Sequence, residues 1–283
     1  MELIRLNNNR TMPIQGFGTF QITDEKICEE SVRAALNAGY RLIDTAACYG
    51  NERAVGRAIA KSNIPRNKLY ISSKVWIQDA GYEKTKESFQ KTLDNLQTDY
   101  LDLYLIHMPY GDYYGSWKAM EELYAEGRIS AIGVCNFEAD RLLDLILNNK
   151  IFPAINQMEL HPFCQQKDLR EIMEKYQVRT MAWAPFAEGR NHIFTDMTLY
   201  EIGSKYHKTP AQVILRWLKQ EGIIAIPKSV HENRIRENFA INDFQLTDED
   251  MDKIRCMDTG RSDILEIRSL DEVYRLYNIR FEQ

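Results

Sequence analysis

No apolar run in this 283-residue chain approaches the roughly 20 residues that a membrane-spanning helix needs. The opening residues, Met1-Glu2-Leu3-Ile4-Arg5, run straight into polar Asn7, Asn8, Asn9 and Arg10, so a secretory hydrophobic segment is missing too. The five cysteines (Cys28, Cys48, Cys135, Cys164 and Cys256) are scattered and include no Cys-x-x-Cys pair. That excludes a disulfide framework and a zinc-ribbon site, and predicts free thiols in a reducing compartment. Basic charge is not in excess: 36 Lys and Arg against 41 Asp and Glu leave a formal net charge of −5. Nucleic acid and anionic membranes, which select a basic face, are therefore not expected partners. No Gly/Ser/Pro-rich linker or break in composition divides the chain, so residues 1–283 are read as one domain. These absences predict a soluble cytoplasmic protein, long enough to bury roughly three-quarters of its unfolded surface.

What is present is alternation. Short β-rich runs occur at Ile14–Thr19, Leu42–Thr45, Leu69–Val75, Leu101–His107, Ala131–Asn136, Ala154–Glu159, Arg179–Ala184 and Ile223–Pro227. Between them lie helical stripes such as Phe89, Leu93 and Leu96, or Val213, Ile214, Trp217 and Leu218. Thr23 or Asp24 caps a helix ending at Gly39, and Thr209-Pro210 opens another. Strands alternating with helices imply a parallel sheet, and eight such units in about 250 residues is the size of a closed (β/α)8 TIM barrel. Leu3–Arg5 and Thr11–Pro13, flanking an Asn-rich turn, predict an N-terminal β-hairpin plugging the barrel bottom. A doubly wound dinucleotide fold is the rival. It wants Gly-x-Gly-x-x-Gly after the first strand, and here Gly16-Phe17-Gly18 is followed by Thr19-Phe20-Gln21, without the third glycine.

Barrel enzymes carry their chemistry at the C-terminal ends of the strands. Asp44, Lys74, His107 and Glu159 all stand at such ends, and Tyr49 follows Asp44 by five residues. Singly, each has an ordinary explanation: a turn cap, a solvated lysine, a satisfied histidine, a packed tyrosine. Together they describe a proton-transfer device. A free phenol, with a pKa near 10, holds its proton tightly, and a nearby ammonium favours the phenolate. Lys74 is placed to supply that charge, Asp44 to hold Lys74, and His107 to orient a carbonyl oxygen. No cluster with metal-ligand spacing appears, so no metal is expected.

The sequence resembles the aldo-keto reductase family over nearly its whole length. The resemblance runs through Ile14-Gln15-Gly16-Phe17-Gly18-Thr19-Phe20, Gly39-Tyr40-Arg41-Leu42-Ile43-Asp44-Thr45-Ala46 and Tyr49-Gly50-Asn51-Glu52. It continues in Ser73-Lys74-Val75-Trp76, Asp102-Leu103-Tyr104-Leu105-Ile106-His107, Gly133-Val134-Cys135-Asn136-Phe137, Asn156-Gln157, His161-Pro162 and Ile226-Pro227-Lys228-Ser229. Trp183, where many animal members have tyrosine, is similar to the bacterial branch near the diketogluconate reductases.

The resemblance implies NADPH-dependent reduction of aldehydes and ketones by a monomer, the cofactor binding first. Its tetrad would be Asp44, Tyr49, Lys74 and His107, with Tyr49 as general acid. Trp183 would stack on the nicotinamide, with Cys135, Asn136 and Gln157 near its carboxamide, and Thr19, Phe20, Asp44 and Ala184 close by. Backbone amides around Phe186 to Gly189, including Glu188, would meet the pyrophosphate. Lys228, Ser229 and Arg234 would hold the 2′-phosphate, and Glu237 and Asn238 the adenine. Phe20, Trp76, His107, Met108 and Tyr110, with Tyr113, would line the substrate pocket, and a C-terminal tail around Leu265–Tyr277 would lie over the barrel mouth. Cys135 and Ala184 depart from the family in lacking a hydroxyl, and Met108 replaces a frequent tryptophan. Two other readings stand beside this one: a cofactor-binding barrel that regulates a partner, and a barrel using Lys74 as a Schiff-base nucleophile.

Overall fold

The computed structural model describes residues 2–283. A hairpin comes first, β1 (Leu3–Arg5) paired antiparallel with β2 (Thr11–Pro13). The eight β-rich runs then become one parallel sheet in sequence order. These strands are β3 (Gly16–Gly18), β4 (Leu42–Asp44), β5 (Tyr70–Val75), β6 (Leu103–Ile106), β7 (Ile132–Cys135), β8 (Ile155–Glu159), β9 (Arg179–Trp183) and β10 (Ile224–Ala225). The sheet closes on itself. Gln15 bridges Ala225, the Ala225 N–H donates to Ile14 O (3.2 Å), and the Gly18 N–H donates to Pro227 O (3.1 Å). A Cβ on Gly18 would sit 2.7 Å from the Ile226 carbonyl oxygen, so only glycine lets the first and last strands approach this closely.

Helices α1 (Glu25–Ala38), α2 (Glu52–Ala60), α3 (Tyr82–Leu96), α4 (Tyr113–Ala125), α5 (Ala139–Asn148) and α6 (Lys167–Lys175) wrap the outside. They are followed by α7 (Met197–Tyr206), α8 (Pro210–Gln220), α9 (Glu232–Phe239), α10 (Asp248–Arg255) and α11 (Leu270–Tyr277). Asp24 caps α1 by accepting from the Ile27 N–H (2.8 Å), and Gly39 ends it in the left-handed conformation. Thr209 and Gln212 form a reciprocal capping box around Pro210, which sits at the first helical position, where proline costs no hydrogen bond.

Strand periodicity decides what faces the barrel axis. Leu42, Tyr70, Leu103, Leu105, Ile155, Met181 and Ile224 point inward and pack on the hairpin residues Leu6, Met12 and Ile14. Asn7 and Asn8 donate to the carbonyls of Pro153 and Ser130, fixing the hairpin across the lower end. The alternate residues Ile43, Ile71, Tyr104, Ile106 and Val134 join the helix layer. Each apolar side chain so buried is worth about 1.5–3 kcal/mol. The same alternation carries Asp44, Lys74, His107 and Gln157 to the inner face at the strands' C-terminal ends. No helix of the described residues is long and apolar enough to cross a membrane.

Candidate active site

The upper end of the barrel opens into a cavity of about 860 Å³. Beneath its floor, under Asp44 and Tyr49, lies Lys74, which has no solvent exposure. Its three ammonium hydrogens have three acceptors: Asp44 Oδ2 (2.6 Å), Thr45 O (2.8 Å) and Tyr49 OH (3.2 Å). Asp44 is held on its other oxygen by Gln157 Nε2 (3.0 Å). Tyr49 ends a short 3₁₀ turn (Ala47–Tyr49) that Gly50, at φ 67°, brings to a stop. The Asn51 amide pins the next residues, donating to Thr19 O (2.9 Å) and Ile22 O (3.1 Å) while accepting from Thr45 Oγ1 (2.8 Å). The Tyr49 ring therefore stands over Lys74 and beside His107, with ring centroids 5.6 Å apart.

Electrostatics follow from burial. Burial alone would discharge Lys74, but Asp44 and the phenol beside it reverse that, so its pKa is raised and the ammonium persists. Burial and the Lys74 charge hold His107 well below the ordinary histidine value, so the imidazole is neutral. For Tyr49 the expected lowering is overturned in sign. Desolvation by the enclosing walls outweighs the Lys74 charge, and the phenol pKa lies above the usual value. The site thus holds a protonated tyrosine hydrogen-bonded to a buried cation.

Trp183 is half-buried, its indole N–H donating to Asn136 Oδ1 (2.8 Å), while Asn136 Nδ2 donates to His107 O (3.1 Å). Asn136 adopts φ 60° to do this, a conformation asparagine tolerates better than most residues. Phe20, Trp76, Met108, Ala184, Phe186 and Glu188 line the same cavity, as do Lys228 and Arg234 at its outer end. Both of these cations are exposed and have no ion-pair partner among the described residues. Glu188, in contrast, accepts from Gln21 Nε2 (3.0 Å).

Several expected residues lie outside the cavity walls. Thr19 is wholly buried with its hydroxyl on Asp44 O (3.1 Å), and Cys135 is sealed inside the barrel. Ser229 accepts from the His231 N–H (3.1 Å), Glu237 accepts from Thr209 Oγ1 (2.7 Å), and Asn238 lies on the buried side of α9. Tyr110 gives its hydroxyl to Ile267 O in the tail (2.5 Å), and Tyr113 packs on Phe137. None of these side chains lines the cavity. Glu159 does face the upper rim, but its carboxylate is committed to the tail. It accepts from Ser262 Oγ (2.5 Å), the Asp263 N–H (3.0 Å) and the Leu265 N–H (3.3 Å), with His161 Nε2 at 3.0 Å.

The tail then runs across the mouth. Leu265, Ile267, Leu276, Ile279 and Phe281 cover Trp76 and Met108, and the Trp76 indole donates to Ile279 O (3.3 Å). Gln283 ends between α2 and α3, bonded to Thr92 Oγ1 (2.8 Å), Ser88 O (3.1 Å) and the buried Glu52 (3.4 Å). Sequence reasoning missed Cys48 and Ile279 as cavity residues. Adjacency to Tyr49 was a usable signal for Cys48. Ile279 is placed only by the path of the tail. No group of three or more His, Cys, Asp or Glu among the described residues is placed to hold a metal ion, and all five cysteines are free.

Residues 15–258 match the Aldo/keto reductase family. The chain is 46% identical over 257 residues to the glyoxal reductase of Bacillus subtilis, covering 90% of this chain and 92% of the relative. Among solved structures, an aldo-keto reductase from a Medee basin deep-sea metagenome library superposes with a TM-score of 0.92 at 43% identity, covering 95% of this chain and 99% of that one. A Bombyx mori aldo-keto reductase in complex with NADP superposes with a TM-score of 0.87 at 33% identity, covering 92% of this chain and 94% of that one.

Proposed function

The chain belongs to the aldo/keto reductase family, and from that premise we propose that it reduces small aldehydes and ketones to alcohols with NADPH, Tyr49 supplying the proton. The observation that carries this reading is one buried ammonium, Lys74 Nζ, bonded at once to Asp44 and to the Tyr49 hydroxyl.

NADPH, when bound, supplies the hydride, chemistry that belongs to the cofactor. The residues present fit it. Trp183 offers an indole face in the cavity, and Gln157 keeps its amide oxygen unpaired among the described residues for a carboxamide N–H. Lys228 and Arg234 stand unpaired at the cavity's outer end, where a phosphate dianion would find charge-assisted hydrogen bonds. Phe20, Trp76, Met108 and Leu276 exclude water around the reacting carbon.

Neutral His107 donates a hydrogen bond to the carbonyl oxygen and fixes its direction. As negative charge grows on that oxygen, the Tyr49 hydroxyl passes its proton to it. Lys74 then faces the phenolate at hydrogen-bonding distance, and Asp44 keeps Lys74 in place. In the reverse direction the same phenolate accepts the alcohol proton. The similarity to a glyoxal reductase favours short reactive aldehydes among the substrates.

The test is loss of NADPH absorbance with glyoxal, methylglyoxal, longer aldehydes, ketones and keto-sugars, run beside Tyr49→Phe. Turnover by the wild type alone supports the assignment. Tight NADPH binding without turnover on any of them overturns it.

A further inference from the structure

We infer that Cys48 is a positioning residue whose thiol donates to His107 Nδ1 and thereby fixes the imidazole tautomer that presents N–H to the carbonyl oxygen. The inference rests on the reductase reading above and deepens it.

The geometry is direct. Cys48 lies in the 3₁₀ turn beside Tyr49, lines the cavity, and sets its Sγ 3.4 Å from His107 Nδ1. The ring is held from its other sides. Its backbone N–H donates to Val75 O (3.0 Å), its carbonyl accepts from Asn136, and the Trp76 and Tyr49 rings meet it edge to face at 4.9 and 5.6 Å. None of these contacts chooses which nitrogen carries the hydrogen, and the thiol is the group that touches one of them.

A neutral imidazole has one donor nitrogen and one acceptor nitrogen, and the partner of the first decides the role of the second. Burial pushes the Cys48 thiol up to about 12, so it keeps its hydrogen and acts as donor. An imidazole nitrogen is a better acceptor than a thiol sulfur. The S–H therefore points to Nδ1, and Nε2 carries the ring hydrogen. The opposite tautomer would aim a lone pair at the carbonyl oxygen and repel it.

The test combines nitrogen-15 histidine spectra of the NADP-bound protein with steady-state kinetics on glyoxal, for the wild type, Cys48→Ala and Cys48→Ser. The His107 resonance is assigned by its loss in His107→Asn. The wild type is expected to show the Nε2–H form, Cys48→Ala a mixture of tautomers, and Cys48→Ser a return to Nε2–H through its hydroxyl. In Cys48→Ala, kcat/KM falls by about three- to tenfold, the worth of one net hydrogen bond. The NADPH dissociation constant stays at its wild-type value, and serine rescues the rate.

An Nδ1–H form in the wild type, or a His107 spectrum indifferent to Cys48→Ala, overturns the inference. A tautomer change that leaves kcat/KM unmoved overturns it equally. If the wild type turns over no carbonyl at all, the reductase reading fails, while the spectra still judge the Cys48–His107 contact.

Discussion

Replacing Lys74 by methionine removes the cation of the buried ion pair under the floor of the cavity. The side chain has no exposure, and its three hydrogen bonds go to Asp44, Thr45 and Tyr49. With the ammonium gone, Asp44 keeps only Gln157 and is left as a buried, uncompensated carboxylate. Breaking a buried pair from one side costs about 3–5 kcal/mol. At roughly 2–4 °C per kcal/mol for a domain of this class, that lowers Tm by about 6–20 °C. The cost has a sign in pH: a buried carboxylic acid without a partner is tolerated while protonated and penalised once ionised. Lys74→Met should therefore lose stability progressively as pH rises above about 4. Adding Asp44→Asn removes the ionisable group, so the double variant should regain much of the lost Tm and lose the pH slope. Turnover should stay abolished in both, because Tyr49 has lost the cation that stabilises its anion. Differential scanning calorimetry between about pH 5 and about pH 8, above the ordinary aspartate value, with parallel NADPH oxidation assays reads both effects. A double variant no more stable than Lys74→Met, or substantial turnover in either, would refute the reasoning.

Four further outcomes are expected. Tyr49→Phe removes the transferable proton and should reduce kcat by at least about a hundredfold, with NADPH affinity by fluorescence titration nearly unchanged; a retained kcat contradicts the role. Arg234→Ala should raise KM for NADPH well above its effect on NADH, and equal changes would remove the 2′-phosphate assignment. Burial opposes ionisation of Glu159, but hydrogen bonds from His161, Ser262 and the Asp263 N–H outweigh it and lower its pKa. Its stabilisation of the tail is therefore present above the ordinary carboxylate value and lost as pH falls through the lowered one. Hydrogen exchange at the Asp263 and Leu265 amides should accelerate at acid pH and, in Glu159→Gln, at neutral pH, whereas unchanged protection would detach the tail from this anchor. Gly18→Ala drives a methyl into the Ile226 carbonyl at the barrel seam, and a Tm drop of several degrees, on the order of 1–3 kcal/mol, is expected.

The barrel was legible because its strands are short, buried and separated by amphipathic helices, so period and order carry the topology. The hairpin followed from the Asn-rich turn between two short apolar pairs. Asp44, Lys74 and His107 were readable from their common place at strand ends, where the two-residue repeat turns each side chain inward. Glu159 obeyed the same rule and still went to the tail, since the rule gives direction but not partner. Strand limits were overestimated at Leu101–His107, where regular pairing covers only Leu103–Ile106, because ladder hydrogen bonds end before the apolar run does. Tyr110 and Tyr113 stand off the cavity for different reasons. Composition marks aromatic residues near a mouth, but the path of the tail decides that Tyr110 is covered, and α4 turns Tyr113 onto Phe137 in the helix layer. The upward shift at Tyr49 also lay beyond sequence, being set by how completely the surrounding walls exclude water.

The hairpin that closes the lower end of the barrel also fixes how the molecule can be handled. Leu6, Met12 and Ile14 bind it into the barrel interior from below, while the cavity opens at the opposite pole. A linker attached ahead of Leu3 would therefore leave on the far side from the mouth. Anchored to a bead or an electrode by that end, the protein would stand with its cavity toward the bulk solution. A linker grafted after Gln283 would instead disturb a side chain lodged against Glu52, the first residue of the helix that follows the turn carrying Tyr49.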